Sequence, residues 1–233
     1  MLRTLKQKIR RRNLGRLGVR EELHCAKRKM PDTRGGWVIR PEGLDASSVI
    51  YSFGVGTDID FDLALIEAFG ATVHAFDPTP VSIEWVRARS LPAEFVFHDY
   101  GIGARDGTLT FYPPRRASSS HFTPVQRYGG EEPADVIEAP VLRLATIREK
   151  LGHACIDLCK IDIEGGEYDV IDDLISSDTL PAQLLVEFHH NYATVPIERT
   201  LAAITRLREH GYRIFHISER TYEISLWRGA SGP

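Results

Sequence analysis

Apolar residues fall into short runs and helical stripes that alternate along most of the chain. Val49, Ile50 and Tyr51 lead to about Phe53 and stop at Gly54-Val-Gly56; Phe61, Leu65 and Phe69 then recur every four residues before Gly70. The first pattern predicts a buried strand. The second predicts one face of a helix, capped by Asp58 or Asp60 and stopped by Gly70. A second strand is expected over 72–76, a helix opened by Pro78 and Pro80 follows, and a third strand covers 94–98. Asp106-Gly107 reads as a tight turn into an alternating segment, 108–112, and 136–144 returns as a strand. Between them, 113–133 is rich in Ser, Pro and Gly and too long for a plain connector, which makes it a candidate substrate loop.

A short helix with Ile147 and Leu151 precedes strand four, 156–163, and Gly165-Gly166 opens a helix bearing Tyr168, Ile171, Leu174 and Ile175. Strand five spans 184–188; the next helix has Pro196 near its first turn and Gly211 at its stop. The last two strands, 212–217 and 222–227, are joined by so few residues that they must be antiparallel. Five β/α units closed by a helix and an antiparallel hairpin form the α/β pattern of S-adenosylmethionine-dependent class I methyltransferases. That pattern is a Rossmann-like, seven-stranded, mostly parallel sheet, here with a β excursion before strand four. A nicotinamide-dependent dehydrogenase would close on another parallel strand, and Ile59 stands where the dinucleotide fingerprint carries its third glycine.

No apolar run approaches the ~20 residues of a membrane span, and no apolar block of ~7–15 residues marks a secretory signal at the N-terminus. Cys155 and Cys159 both read as strand-borne, about 13 Å apart and beyond disulfide reach. The three cysteines are therefore read as reduced thiols of a cytoplasmic protein. The net charge of −3 conceals an asymmetry: residues 1–30 hold eleven Lys/Arg against two Glu, or +9, leaving the rest at −12. The reading is a basic N-terminal extension, 1–30, solvated and partly frayed, ahead of a catalytic domain over 31–233. Its apolar stripe (Leu2, Leu5, Ile9, Leu14) is thin, enough for weak contact with a membrane surface at most. It lacks the aromatic-rich basic surface that nucleic-acid binding favours.

Candidate chemistry gathers at the carboxyl ends of the predicted strands, where open α/β sheets bind ligands. Gly54 and Gly56 would let backbone approach the methionine end of the donor. Asp77 would accept the ribose hydroxyls, a role compatible with capping the helix after Pro78-Thr79. Asp99 and Tyr100 fall where adenine should sit, although Asp99 can equally be a loop-start carboxylate. In Lys160-Ile-Asp-Ile-Glu-Gly-Gly-Glu167, Asp162 and Glu164 leave the same face of the strand. They can accept the donor's ammonium group, orient an acceptor hydroxyl or act as base; Glu164 and Glu167 can also simply favour a helix N-terminus. Asp162 is assigned to the donor, and Glu164 to catalysis with His189, which is preferred over its neighbour His190 as the base. His121 is a loop histidine within possible reach. The carboxylate pair with His189 could also hold a metal, but no spacing demands one and none is assigned.

The stretches 49–80, 101–112 and 184–190, and above all the block Lys160–Val170, resemble the FkbM-type methyltransferase family, the likeness covering about residues 34–228. The resemblance implies a class I methyltransferase fold, S-adenosylmethionine as donor, and methylation of a hydroxyl on a sugar, polyketide or similar metabolite. The acceptor is thus expected to be a small molecule or glycan. One alternative is a nucleic-acid methyltransferase using the basic arm, but Asp-Ile-Glu-Gly stands where amino-methylating enzymes carry Asn/Asp-Pro-Pro-aromatic. The other is a non-catalytic S-adenosylmethionine-binding module, which the retained Asp77, Asp162, Glu164 and His189 do not support.

Overall fold

The strands Ile50–Phe53 and Leu158–Ile161 are buried at every position, which only a strand covered on both faces can be. They lie side by side at the centre of the sheet. The computed structural model describes residues 2–32, 36–114, 121–126 and 135–229. In chain order its elements are α1 (Leu2–Arg16), β1 (Arg28–Met30), β2 (Trp37–Ile39), β3 (Ile50–Phe53), α2 (Asp60–Phe69), β4 (Val73–Phe76), α3 (Pro80–Arg87) and β5 (Phe95–His98). There follow β6 (Gly101–Ile102), β7 (Gly107–Phe111), β8 (Ile137–Leu142), α4 (Leu144–Leu151), β9 (Leu158–Ile161) and α5 (Glu167–Ser176). The chain closes with β10 (Gln183–Glu187), α6 (Ile197–Glu209), β11 (Tyr212–Ile217) and β12 (Glu223–Arg228).

The main sheet has seven strands in the order β11-β12-β10-β9-β3-β4-β5. β12 runs antiparallel to both its neighbours, and the pairs from β10 to β5 are parallel. This is the expected seven-stranded, mostly parallel sheet with its terminal hairpin. Chain order runs outward from β3 to β5 on one side and from β9 to β10 on the other. The direction of winding therefore reverses between β3 and β9, and a crevice opens at their carboxyl ends.

Alternation along the strands sends side chains to two cores. Tyr51, Phe53, Phe76 and Ile161 pack with Ile171 and Leu174 of α5 and Ile204 and Leu207 of α6. On the other face Ile50 and Leu158 meet Phe61 and Leu65 of α2 and Trp37 and Ile39 of β2. The β excursion is a separate three-stranded sheet, with β8 parallel to β6 and antiparallel to β7.

Several boundaries differ from expectation for local reasons. α2 has Ile59 at its N-cap without a side-chain bond, and Asp58 Oδ1 instead accepts the Asp60 N–H at 3.0 Å. β9 is shorter than the apolar run that announced it, because the chain leaves the ladder at Asp162. Cys155 precedes β9 and is exposed, so it is not strand-borne; Cys159 is buried within the strand, and all three thiols are free.

Packing against the sheet begins well before residue 31. Leu14 and Val19 join the core of α5 and α6, Met30 joins the opposite one, and β1 pairs with β2. The Glu22 N–H donates to Ile214 O at 2.7 Å, and Arg208 donates to Gly18 O at 2.9 Å. Positions 8–13 of α1 are exposed. No helix among the described residues is long and apolar enough to cross a membrane. Of the candidate loop 113–133, residues 115–120 and 127–133 lie outside the described residues, as do Arg34 and Gly35. The described part folds inward, with Thr123 bridged to Tyr112 and its hydroxyl donating to the carbonyl of Glu164.

Removing residues 1–13 is expected to move the melting temperature by no more than about 3 °C. Removal through Met30 also takes away the buried Leu14, Val19 and Met30. At ~1.5–3 kcal/mol per side chain and ~2–4 °C per kcal/mol, that deletion should lower the melting temperature by about 10 °C or more. Scanning calorimetry of the two truncations checks this.

Candidate active site

A cavity of about 1140 Å³ lies at the β3/β9 reversal, and Gly54, Gly56, Asp77, Asp162 and Glu164 all line it. Gly54 has φ +85°, and a Cβ there would stand 1.7 Å from the Asp162 carbonyl oxygen. Only glycine lets the end of β3 pass this close to the end of β9. The Gly56 N–H donates to Asp77 Oδ2 at 2.8 Å. Asp77, 6 % exposed, accepts at Oδ1 from Thr79 N (2.9 Å) and Thr79 Oγ1 (2.6 Å). Thr79 is itself the N-cap residue of α3, so Asp77 braces the turn one step earlier. Each carboxylate oxygen can accept more than one bond, so the brace leaves acceptor capacity toward the cavity.

Asp99 and Tyr100 stand apart from the cavity lining. Asp99 is exposed and pairs with Arg87 at 3.1 Å. Tyr100 leans on the rings of Phe76 and His98, its hydroxyl buried without a hydrogen-bond partner. The lining resumes at Gly101, where the chain crosses close over Pro78: a Cβ at Gly101 would meet the proline ring at 3.0 Å.

Beyond Ile161 the chain leaves its strand in a tight turn that puts Glu164 at φ +56°, a conformation unusual for a residue with a Cβ. Glu167, fully buried at the start of α5, holds this turn to the end of β10. Its Oε2 accepts the Gly165 N–H at 2.9 Å, and its Oε1 accepts the His189 N–H at 2.8 Å and lies 3.3 Å from His189 Nδ1. With Nδ1 turned to Glu167, Nε2 faces Asp162 Oδ1 at 3.8 Å and Glu164 Oε2 at 3.6 Å. Glu164 is further held by His121 Nδ1, 2.7 Å from Oε1, and by the Tyr192 hydroxyl on Oε2. His190 points elsewhere: its Nδ1 meets Thr200 Oγ1 at 3.1 Å and its ring packs on Tyr222.

The two histidines are tuned in opposite directions. Burial alone would lower His189, but its bond to Glu167 and the charges of Glu167, Asp162 and Glu164 outweigh that and push it up to about 9. Burial, aided by His189, brings His190 down to about 4. Burial also raises the Asp162 carboxyl, against the pull of Lys160 and His189. The ligand atoms of Asp162, Glu164 and His189 lie within 4.8 Å of one another. Two carboxylates and an imidazole so placed can handle a proton or hold a divalent cation, a site that the sequence reading did not assign.

Three further residues stand at or beside the site without having been expected there. Glu167 looked like a helix-start acid and is the anchor of His189. Lys160, a charge inside the buried β9, donates from Nζ to Gly54 O at 2.9 Å. Asp62 sits buried in the first turn of α2, where burial raises its carboxyl against the charge of Lys160. The available signal for the last two was a charged residue within an otherwise apolar pattern.

The Methyltransferase FkbM domain matches residues 49–214. Probable methyltransferase-like protein 24 of Homo sapiens is 25 % identical to this chain, over 72 % of the chain and 42 % of its own length, and the Rattus norvegicus protein gives the same figures. The chain thus spans less than half the length of those two relatives. The 31-O-demethyl-FK506 methyltransferase FkbM of Streptomyces tacrolimicus is 26 % identical, over 78 % of this chain and 76 % of its own. The crystal structure of Methyltransferase FkbM from Methylobacillus flagellatus KT matches with a TM-score of 0.50 at 14 % identity, covering 79 % of this chain and 44 % of that one, a likeness of fold alone. With a glycine turn, a buried acid on the next strand and the Asp162–Glu164–His189 cluster inside the matched segment, the chain belongs to the FkbM methyltransferase family.

Proposed function

We propose that the chain is an S-adenosylmethionine-dependent O-methyltransferase acting on a hydroxyl of a small metabolite or glycan. The observation that carries this reading is that one cavity is lined by Asp77 and the glycine turn and by Asp162 and Glu164, with the buried ring of His189 outside the lining and directly behind the two acids. The name of the Streptomyces relative, which specifies an O-demethyl substrate, supports oxygen as the methyl acceptor. From the end of β10 to β12 the cavity is lined by Glu187, Arg220 and Glu223, with Arg220 bonded to both acids at 3.0 and 3.3 Å. Such a polar wall suits a hydroxylated acceptor better than an apolar one.

The residues present fit the donor: Asp77 keeps acceptor capacity for ribose hydroxyls, and Gly54 and Gly56 put no side chain at either end of the turn. S-adenosylmethionine, when bound, supplies a methyl group on a cationic sulfur open to in-line attack by oxygen. Asp162 then stands on the donor side of the cluster. Glu164 orients the acceptor hydroxyl, and His189 Nε2 takes its proton while Glu167 steadies the imidazolium through Nδ1. A histidine held at about 9 is protonated at neutral pH, so the competent, neutral form grows as pH rises.

Incubation with S-adenosylmethionine and a panel of hydroxylated macrolides, sugars and glycans, read by mass spectrometry, tests the assignment. It predicts addition of one methyl group to oxygen; methyl transfer to nucleic acid alone would refute it. For the competent acceptor, kcat/KM should climb about tenfold per pH unit below about 9 and then level. His189→Gln should remove that rise and cut turnover by about 100-fold or more while donor affinity stays within a factor of a few. Asp77→Ala should weaken donor binding by about 1–3 kcal/mol in a titration; an unchanged affinity rejects the ribose contact.

A further inference from the structure

On the α2 side of the glycine turn lies a set of buried polar groups that the steps above leave unused. Lys160 on β9 is in register with Ser52 on β3, and both side chains leave the sheet toward α2. Lys160 Nζ donates to Gly54 O at 2.9 Å and to Phe53 O at 3.4 Å, and stands 5.7 Å from the centre of the Trp37 ring. Asp62 is 2 % exposed and its Oδ1 has no hydrogen-bond partner of good geometry; against burial, Lys160 and the Ser52 hydroxyl are the groups that favour its charged form. Among the described residues neither Lys160 nor Asp62 enters an ion pair. Yet Lys160, Asp62 and Trp37 all line the cavity that contains Asp77.

A buried cation and a buried anion whose only purpose was stability would close into contact, since a charge buried without its counter-charge is strongly unfavourable. Lining one cavity without closing into an ion pair, they complement a ligand that carries both charges on neighbouring atoms. The order of the strands agrees. Asp77 follows β4, Gly54 follows β3 and Lys160 is on β9, three adjacent strands. At ~4.8 Å per strand, a ligand with its ribose at β4 reaches β9 about 10 Å away.

We propose that Lys160 and Asp62, with Trp37, form the subsite for the α-amino-carboxylate end of the methyl donor, Lys160 receiving the carboxylate and Asp62 the ammonium. This rests on the donor assignment above. It deepens that assignment by locating the zwitterion on the α2 side of the turn, and it leaves Asp162 beside His189.

Titration calorimetry with S-adenosylhomocysteine and 5′-methylthioadenosine tests it, because the second ligand keeps the adenosine and thioether and lacks the amino-carboxylate. The full chain should bind S-adenosylhomocysteine at least about tenfold more tightly than 5′-methylthioadenosine, the size expected for charge-assisted contacts. Lys160→Met and Asp62→Asn should each weaken S-adenosylhomocysteine by about tenfold or more and leave 5′-methylthioadenosine unchanged. Equal affinities in the unaltered chain, or variants that weaken both ligands alike, overturn the subsite and leave the donor assignment standing. Binding of neither ligand by the unaltered chain overturns the donor assignment itself. Melting curves establish that each variant is folded. Should Lys160→Met fail that check, the near-isosteric Asp62→Asn and the comparison of the two ligands on the unaltered chain still decide the matter.

Discussion

Both oxygens of Glu167 are committed to backbone N–H groups from different parts of the chain, Gly165 in the turn after β9 and His189 at the end of β10. The residue is wholly buried, and each N–H it satisfies would cost about 1–3 kcal/mol if left bare. The turn that carries Asp162 and Glu164 and the strand end that carries His189 are therefore locked in one relative position. The same carboxylate fixes the imidazole by its Nδ1 side, so Nε2 can only face the two acids at the cavity. The strained backbone at Glu164 persists because this lock, together with Thr123, Tyr192 and His121, over-determines it. The geometry of this edge depends on Glu167 even though Glu167 does not line the cavity.

The architecture was legible because it is written in periodicity. Val49 to Tyr51, the four-residue repeat of α2 and the short link between the last two strands were sufficient for a mostly parallel sheet with an antiparallel end. At the site, residues on strand tips were legible because a parallel sheet places all such tips along one edge: Asp77, Asp162, Glu164 and His189 needed no tertiary information to be brought together. What depends on the path of a loop was not legible. Asp99 and Tyr100 lie beside the edge in sequence, yet the turn carries them outside it and brings Gly101 in over Pro78. The approach of His121 to Glu164 depends on a fold-back of residues 121–126 that no periodic pattern announces.

Roles that depend on a partner were illegible for a different reason. Glu167 obeys the rule for an acid at a helix N-terminus, and that local explanation hides its longer reach to β10. Lys160 and Asp62 each break an apolar pattern, but only the register of β3 against β9 and the packing of α2 put them at one cavity. The basic N-terminal segment divides in the same way. Its charge is visible in composition, whereas the burial of Leu14 and Val19 against α6 follows from where the sheet leaves an uncovered face.

The proposed function divides the sheet edge in two, assigning donor contacts to β4 through β9 and proton handling and acceptor contacts to β9 through β12. Its centre is the identity of the ligand at the β3/β9 reversal, and a calorimetric titration of the full chain with S-adenosylmethionine and, separately, NADH addresses that most directly. The account predicts saturable binding of S-adenosylmethionine and none of NADH. Binding of NADH without S-adenosylmethionine would contradict it.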